Sequence, residues 1–109
     1  MKKVPCFTYG VDTSKPVTPL LVRDAILECF FKAHCEDSGV TSEEAEARKY
    51  CRQIVEKVFS DNGDDFEKPT KQSLINCVEG LVSFSKYFRN PQVIEKHYDE
   101  IMELINMLP

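Results

Sequence analysis

This sequence of 109 residues has no long apolar segment. No stretch approaches the roughly 18 apolar residues that a membrane-spanning helix requires. Residues 1–3 have the basic character of a secretory signal, but Pro5, Gly10 and Asp12 follow where such a signal has its hydrophobic run. We therefore expect a soluble cytoplasmic protein that has no membrane partner.

Basic residues are also too few for a nucleic-acid-binding protein. The chain has 14 Lys and Arg against 18 Asp and Glu, which gives a net charge of −4. Affinity for nucleic acid comes mainly from neutralising phosphates, so this balance argues against such a partner. The remaining composition is ordinary, with 42% hydrophobic and 29% charged residues. These values predict one globular domain.

The sequence contains no phosphate-binding loop, no Gly-x-Gly-x-x-Gly turn and no Gly-x-Ser-x-Gly elbow. It also lacks a Cys-x-x-Cys pair, although it has five cysteines, at Cys6, Cys29, Cys35, Cys51 and Cys77. Three of them fall on the apolar faces of helical segments, where a reduced thiol behaves as a small hydrophobe. Because these motifs are absent, the sequence assigns no residue a catalytic role. The positions of the cysteines favour a non-catalytic protein with buried thiols.

Helix-breaking residues are concentrated at the start of the chain. Residues 1–17 contain prolines and a glycine, and this composition predicts an extended N-terminal arm. Thr18 and Pro19 then form a typical helix start, because Thr is a good N-cap and Pro suits the first helical position. Gly39 is the predicted end of this first helix.

Three further segments have helical periodicity and recognisable ends. Thr41 and Glu44 have the spacing of a capping box at the start of the second helix, and Gly63 is its predicted stop. Thr70 is the predicted N-cap of the third helix, and Pro91 begins the fourth. Each segment has one apolar face, and four such helices bury these faces by forming a bundle.

The predicted fold class is therefore all-α. Because the first and third connections are short, they favour an up-down-up-down four-helix bundle. The predicted organisation is an extended arm over residues 1–17 followed by a single bundle domain over residues 18–109.

The first helix has apolar residues on more than one face, which is more than a four-helix monomer needs to bury. An exposed apolar patch of this kind marks a partner site, and a two-fold homodimer is its commonest form. We predict a protein–protein interaction or homodimer interface at Leu20, Leu27 and Phe31. The alternative is that the N-terminal arm covers this surface within the monomer.

Two histidines suggest a different function. His34 precedes Asp37 by three residues and His97 precedes Glu100 by three, so each pair shares a helical face. The predicted bundle places both pairs at the same end, where they would form a site for Zn or Fe. Di-iron bundles use the reverse order, Glu-x-x-His, with additional inward carboxylates. The metal-binding bundle is therefore the alternative function, and the main expectation is a protein without a cofactor.

The sequence suggests two further possible sites. Counting along the predicted helices places Cys29, Cys51 and Cys77 at a similar height, and soft sulfur ligands suit Cu(I) or Zn. None of these spacings is a recognised ligand pair. A small-molecule pocket between helices, near Gly80 and residues 83–85, is a further possibility.

Overall fold

The computed structural model describes residues 16–38, 44–84 and 92–108, and the side chains of residues 16–36, 44–84 and 97–108. Over these ranges the chain forms helices and no strand. The helices are α1 (Pro19–Ser38), α2 (Glu44–Asp61), α3 (Lys71–Phe84) and α4 (Gln92–Asn106). The predicted all-α four-helix fold is confirmed. None of the described helices is long and apolar enough to cross a membrane.

Some sequence predictions fall on parts of the chain outside the described residues. These include the extended arm over residues 1–15, the end of the first helix at Gly39, the Thr41 cap and the start of the fourth helix at Pro91. The up-down-up-down order and the division into an arm and one bundle domain also stay predictions.

Threonine caps begin two of the helices. At the start of α1, the Leu21 amide donates to Thr18 Oγ1 at 3.3 Å. At the start of α3, the Ser73 amide donates to Thr70 Oγ1 at 3.1 Å, and the Thr70 amide donates to Ser73 Oγ at 2.7 Å. These bonds satisfy amide groups that have no partner within the helix. Both predicted threonine caps are confirmed.

A glycine in the left-handed backbone conformation, Gly63, follows the C-terminal end of α2. Gly63 has φ of 74°, its amide donates to the Ser60 carbonyl at 3.0 Å, and the Asp64 amide donates to the Phe59 carbonyl at 2.9 Å. This pair of bonds is the Schellman motif, in which glycine reverses the chain without the steric cost of a Cβ. The predicted stop at Gly63 is confirmed.

The core lies between the four helices, and α1 packs against each of the other three. This central position explains why α1 has apolar residues around much of its circumference. The largest fully buried side chains are apolar or sulfur-containing: Phe30, Phe59, Ile26, Leu74, Leu104, Ile105, Val22, Val55, Cys51 and Cys77.

The connection between α2 and α3 also contributes to the core through Phe66. Its ring packs edge-on against Phe59, with centroids 5.5 Å apart and an interplanar angle of 84°. The guanidinium groups of Arg23 and Arg52 lie 4.5 Å and 4.9 Å from the centroid of the Phe66 ring. Arg23 Nη1 also donates to the Phe66 carbonyl at 3.1 Å. The sequence indicated only an irregular segment here, whereas Phe66 joins the connection to α1 and α2.

Candidate functional site

The three predicted interface residues lie along one side of α1, and we call them the α1 stripe: Leu20, Leu27 and Phe31. Steps of seven and four residues along an α-helix return the side chain to nearly the same direction. Leu20 is 48% exposed, whereas Leu27 and Phe31 are partly buried and pack against the core. The stripe therefore passes from the surface into a groove.

This α1–α2 groove is lined by Leu27, Phe31, Arg48 and Arg52 and has a volume of about 150 Å³. The Arg48 guanidinium lies 4.0 Å from the centroid of the Phe31 ring, within the range of a cation–π contact. The sequence placed Arg48 on the polar side of α2. Its aliphatic stem and charged head together cover apolar surface, which a hydrophobicity pattern does not reveal.

Two carboxylates hold Arg48 in this position. Its Nη1 and Nη2 atoms donate to the two Glu28 carboxylate oxygens at 2.5 Å and 3.1 Å, and its Nε donates to Glu44 at 2.9 Å. The bond from Arg48 is the main reason that the pKa of Glu28 lies below its ordinary value, and burial opposes this effect. The same bond raises the pKa of Arg48, which stays a cation.

Replacing Arg48 with Met is expected to lower the free energy of unfolding by about 1 kcal/mol at pH 7, since a partly exposed ion-pair network has this order of magnitude. The folded-state pKa of Glu28 lies below its ordinary value of 4.5. Stabilisation by the pair is therefore fully present above pH 4.5 and is lost as the pH falls through the lowered pKa. Urea unfolding at several pH values measures the difference between parent and variant.

Lys57→Met is the matched control, because Lys57 forms an exposed ion pair with Asp61 within α2. We expect this control to change stability by less than about 0.5 kcal/mol. A difference between parent and Arg48→Met that stays constant from neutral to strongly acidic pH would contradict the role assigned to the Glu28–Arg48 pair.

The two histidines have different surroundings. His97 is only 6% exposed, and its Nε2 lies 3.5 Å from Glu36 Oε1 on α1. His34 is partly buried, and its ring centroid lies 5.4 Å from that of Tyr50 on α2. The structure thus places His97 beside Glu36, a carboxylate that the sequence analysis did not single out.

The predicted metal ligands were His34, His97, Asp37 and Glu100. The Asp37 side chain lies outside the described residues, and Glu100 is partly buried on α4. Among the described side chains, no three His, Cys, Asp or Glu form a group able to hold a metal ion. The four-residue Zn or Fe site stays a prediction.

The described cysteines form no disulfide with one another and are mostly buried. Cys29, Cys51 and Cys77 belong to the core, and Cys35 is partly exposed. Burial raises the pKa of both Cys51 and Cys77 to about 12, and it also raises the pKa of Cys35. Such thiols are protonated at neutral pH and are poor nucleophiles. The prediction of buried thiols is confirmed for Cys29, Cys51 and Cys77, while Cys6 lies outside the described residues.

A second groove lies between α3 and α4 and has a volume of about 460 Å³. Its described lining consists of Glu79, Val82, Tyr98 and Asp99, and we call it the α3–α4 groove. It lies in the part of α3 where the sequence suggested a small-molecule pocket near Gly80. The structure therefore offers two candidate surfaces, one between α1 and α2 and one between α3 and α4.

Comparisons with known proteins do not assign either surface a function. No protein-family model matches the chain. No curated protein and no solved structure matches it either.

Proposed function

We propose that this protein is a non-catalytic interaction module that forms a homodimer through the α1 stripe and the adjoining α1–α2 groove. The observation that carries the proposal is the position of α1. This helix packs against all three other helices and still presents Leu20, 48% exposed, in line with Leu27 and Phe31. Part of the apolar surface of α1 thus stays exposed although the helix is central to the core, and exposed apolar surface is typical of interfaces.

The charges around the stripe favour a second copy of this chain as the partner. Arg48 and Arg52 lie on one side of it, and Asp24 and Glu28 occupy neighbouring positions on α1. This face is therefore balanced in charge, whereas the whole chain has a net charge of −4. Two copies repel each other least when they meet at the balanced face.

The composition of the groove supports the same proposal. Aromatic residues and arginine are enriched at the centres of protein–protein interfaces, where they contribute most of the binding energy. Phe31 and Arg48 form such a pair, and Arg48 is already held by Glu28 and Glu44. An arginine held in one conformation loses little side-chain entropy on association.

We also propose that the protein works in the cytoplasm and without nucleic acid or a cofactor. The support for the compartment is that the described cysteines Cys29, Cys35, Cys51 and Cys77 are thiols and not disulfides, because reduced cysteines are typical of reducing compartments. The acidic net charge supports the absence of a nucleic-acid partner.

Replacing Leu20 with Glu is expected to weaken the dimer by at least about tenfold, because a charge would then be desolvated at the interface. Size-exclusion chromatography with light scattering over a range of concentrations measures this effect. The exposed position of Leu20 leaves the fold intact, which circular dichroism checks. Leu20 is a better probe than Phe31, which packs against the core.

Leu21→Glu is the matched control. Leu21 is 41% exposed, similar to its neighbour, but it points about 100° away from the α1 stripe. We expect this variant to remain dimeric. A monomeric parent at every concentration, or equal weakening by both substitutions, would overturn the proposed interface.

A further inference from the structure

The α3–α4 groove has the size of a small-molecule site. Its volume of about 460 Å³ lies within the range of roughly 300–1,000 Å³ that is typical of such sites. Val82 on α3 and Tyr98 on α4 are partly buried and supply apolar surface, while Glu79 and Asp99 are exposed and supply carboxylates. The groove thus combines an apolar surface with two negative charges.

Neither carboxylate is compensated within the part of the chain that the structure describes. Glu79 and Asp99 make no ion pair or hydrogen bond with these residues. By contrast, the acids around the α1–α2 groove, such as Glu28 and Glu44, are bonded to arginine. Two uncompensated carboxylates beside a tyrosine ring favour a cation, through charge-assisted hydrogen bonds and a cation–π contact.

Tyr98 also borders a small, partly open cavity of about 20 Å³. The other residues around this cavity are apolar or sulfur-containing: Ile26, Cys29, Phe30, Val78, Leu81 and Ile101. The cavity has room for about one water molecule but offers it few hydrogen-bond partners. Filling it with an apolar group gains dispersion contacts that the lining side chains lack.

We propose that the α3–α4 groove binds a small amphipathic amine. The ammonium group lies between Glu79 and Asp99, and the apolar body packs on Val82 and Tyr98, beside the small cavity. This site goes beyond the proposed dimer function, because it uses the surface of α3 and α4 rather than that of α1 and α2.

Three probes with the same apolar body and different head groups test the site: 4-phenylbutylammonium, 4-phenylbutanol and 4-phenylbutyrate. Titration of the full chain is followed by calorimetry and by amide chemical shifts in NMR spectra. We expect the ammonium compound to bind at least about tenfold more tightly than the carboxylate, with the alcohol between them. The largest shifts are expected at Val82, Tyr98 and Asp99.

The double variant Glu79→Gln/Asp99→Asn is expected to weaken binding of the ammonium probe at least about fivefold and to leave the alcohol unaffected. Glu103→Gln is the control, since Glu103 is an exposed acid on α4 outside the groove lining. Equal affinity for the three head groups, shifts located elsewhere, or an unchanged double variant would overturn the proposal.

A further variant separates this site from the dimer. Leu20→Glu is expected to bind the ammonium probe with the affinity of the parent, because Leu20 lies on α1, outside the lining of the α3–α4 groove. Failure of the dimer test therefore leaves the amine test intact, and failure of the amine test leaves the dimer test intact. Loss of amine binding in Leu20→Glu would contradict a separate site.

Discussion

Phe59→Ala is expected to lower the free energy of unfolding by about 3–5 kcal/mol, the usual cost of truncating a large buried aromatic side chain. Phe59 is 1% exposed, and its ring packs edge-on against Phe66 in the connection between α2 and α3. Truncation removes the buried area of the ring and leaves a cavity at this junction. Phe66 also loses its packing against the Phe59 ring, so the truncation destabilises both α2 and the connection that follows it.

Urea unfolding followed by circular dichroism measures this loss. Domains of this size have a total stability of about 5–15 kcal/mol, so the Ala variant would be close to unfolding if the parent lies at the lower limit. Phe59→Leu keeps most of the volume and is expected to cost less than about 1.5 kcal/mol. This second variant keeps the prediction measurable when the first does not fold.

Tyr50→Ala is the control for the truncation. Tyr50 is another aromatic residue of α2, but it is 48% exposed, and its ring lies beside that of His34. Its loss is expected to change stability by about 0.5 kcal/mol or less, as for other surface positions. Similar losses for Tyr50→Ala and Phe59→Ala would show that the buried ring does not contribute as the structure indicates.

Gly80→Leu is expected to lower the free energy of unfolding by about 1–3 kcal/mol, which is typical of overpacking. A Cβ atom built on Gly80 of α3 lies 2.6 Å from Val58 Cγ1 of α2, much closer than a van der Waals contact. The two helices approach each other at this point because Gly80 has no side chain. A leucine there forces the helices apart or displaces Val58 from its position beside the core.

A double-mutant cycle tests whether Val58 is the cause. With Val58 present, Gly80→Ala brings a clash that opposes the higher helix propensity of alanine. In the Val58→Ala background the clash is absent, and Gly80→Ala is expected to be stabilising by up to about 1 kcal/mol. An equal effect of Gly80→Ala in both backgrounds would contradict the assigned contact.

Ser83→Leu is the control for the added volume. Ser83 is also on α3, but its side chain is exposed. We expect this variant to change stability by less than about 0.5 kcal/mol, because a new side chain in solvent meets no neighbour. The contrast with Gly80→Leu isolates the close approach between α2 and α3.

The helix ends could be predicted from the sequence because their signals are local. The Thr18 and Thr70 caps each bond to amides three residues away, and the turn at Gly63 uses the carbonyls of Ser60 and Phe59 in the last turn of α2. Such interactions depend on residue type and spacing alone. Apolar periodicity also predicted four helices that pack into a common core, because exposing the apolar face of each helix to water is unfavourable. These features determined the fold class.

The candidate sites could be predicted only in part. Leu20, Leu27 and Phe31 were identified from α1 alone, because a surplus of apolar residues on one helix is visible in its sequence. Arg48 was missed, since on its own helix it belongs to a polar side. Glu36 was also missed, because its contact with His97 joins two helices that are far apart in the chain.

The sequence by itself therefore determined which segments are helical, where several of them begin or end, and which residues face the core. Only the tertiary structure decided how each helix is rotated and shifted against its neighbours. Those two quantities arise from the packing of whole side chains between helices and have no local signal. They place Arg48 over Phe31, Phe66 against Phe59, and Tyr98 in the lining of both the α3–α4 groove and a small cavity.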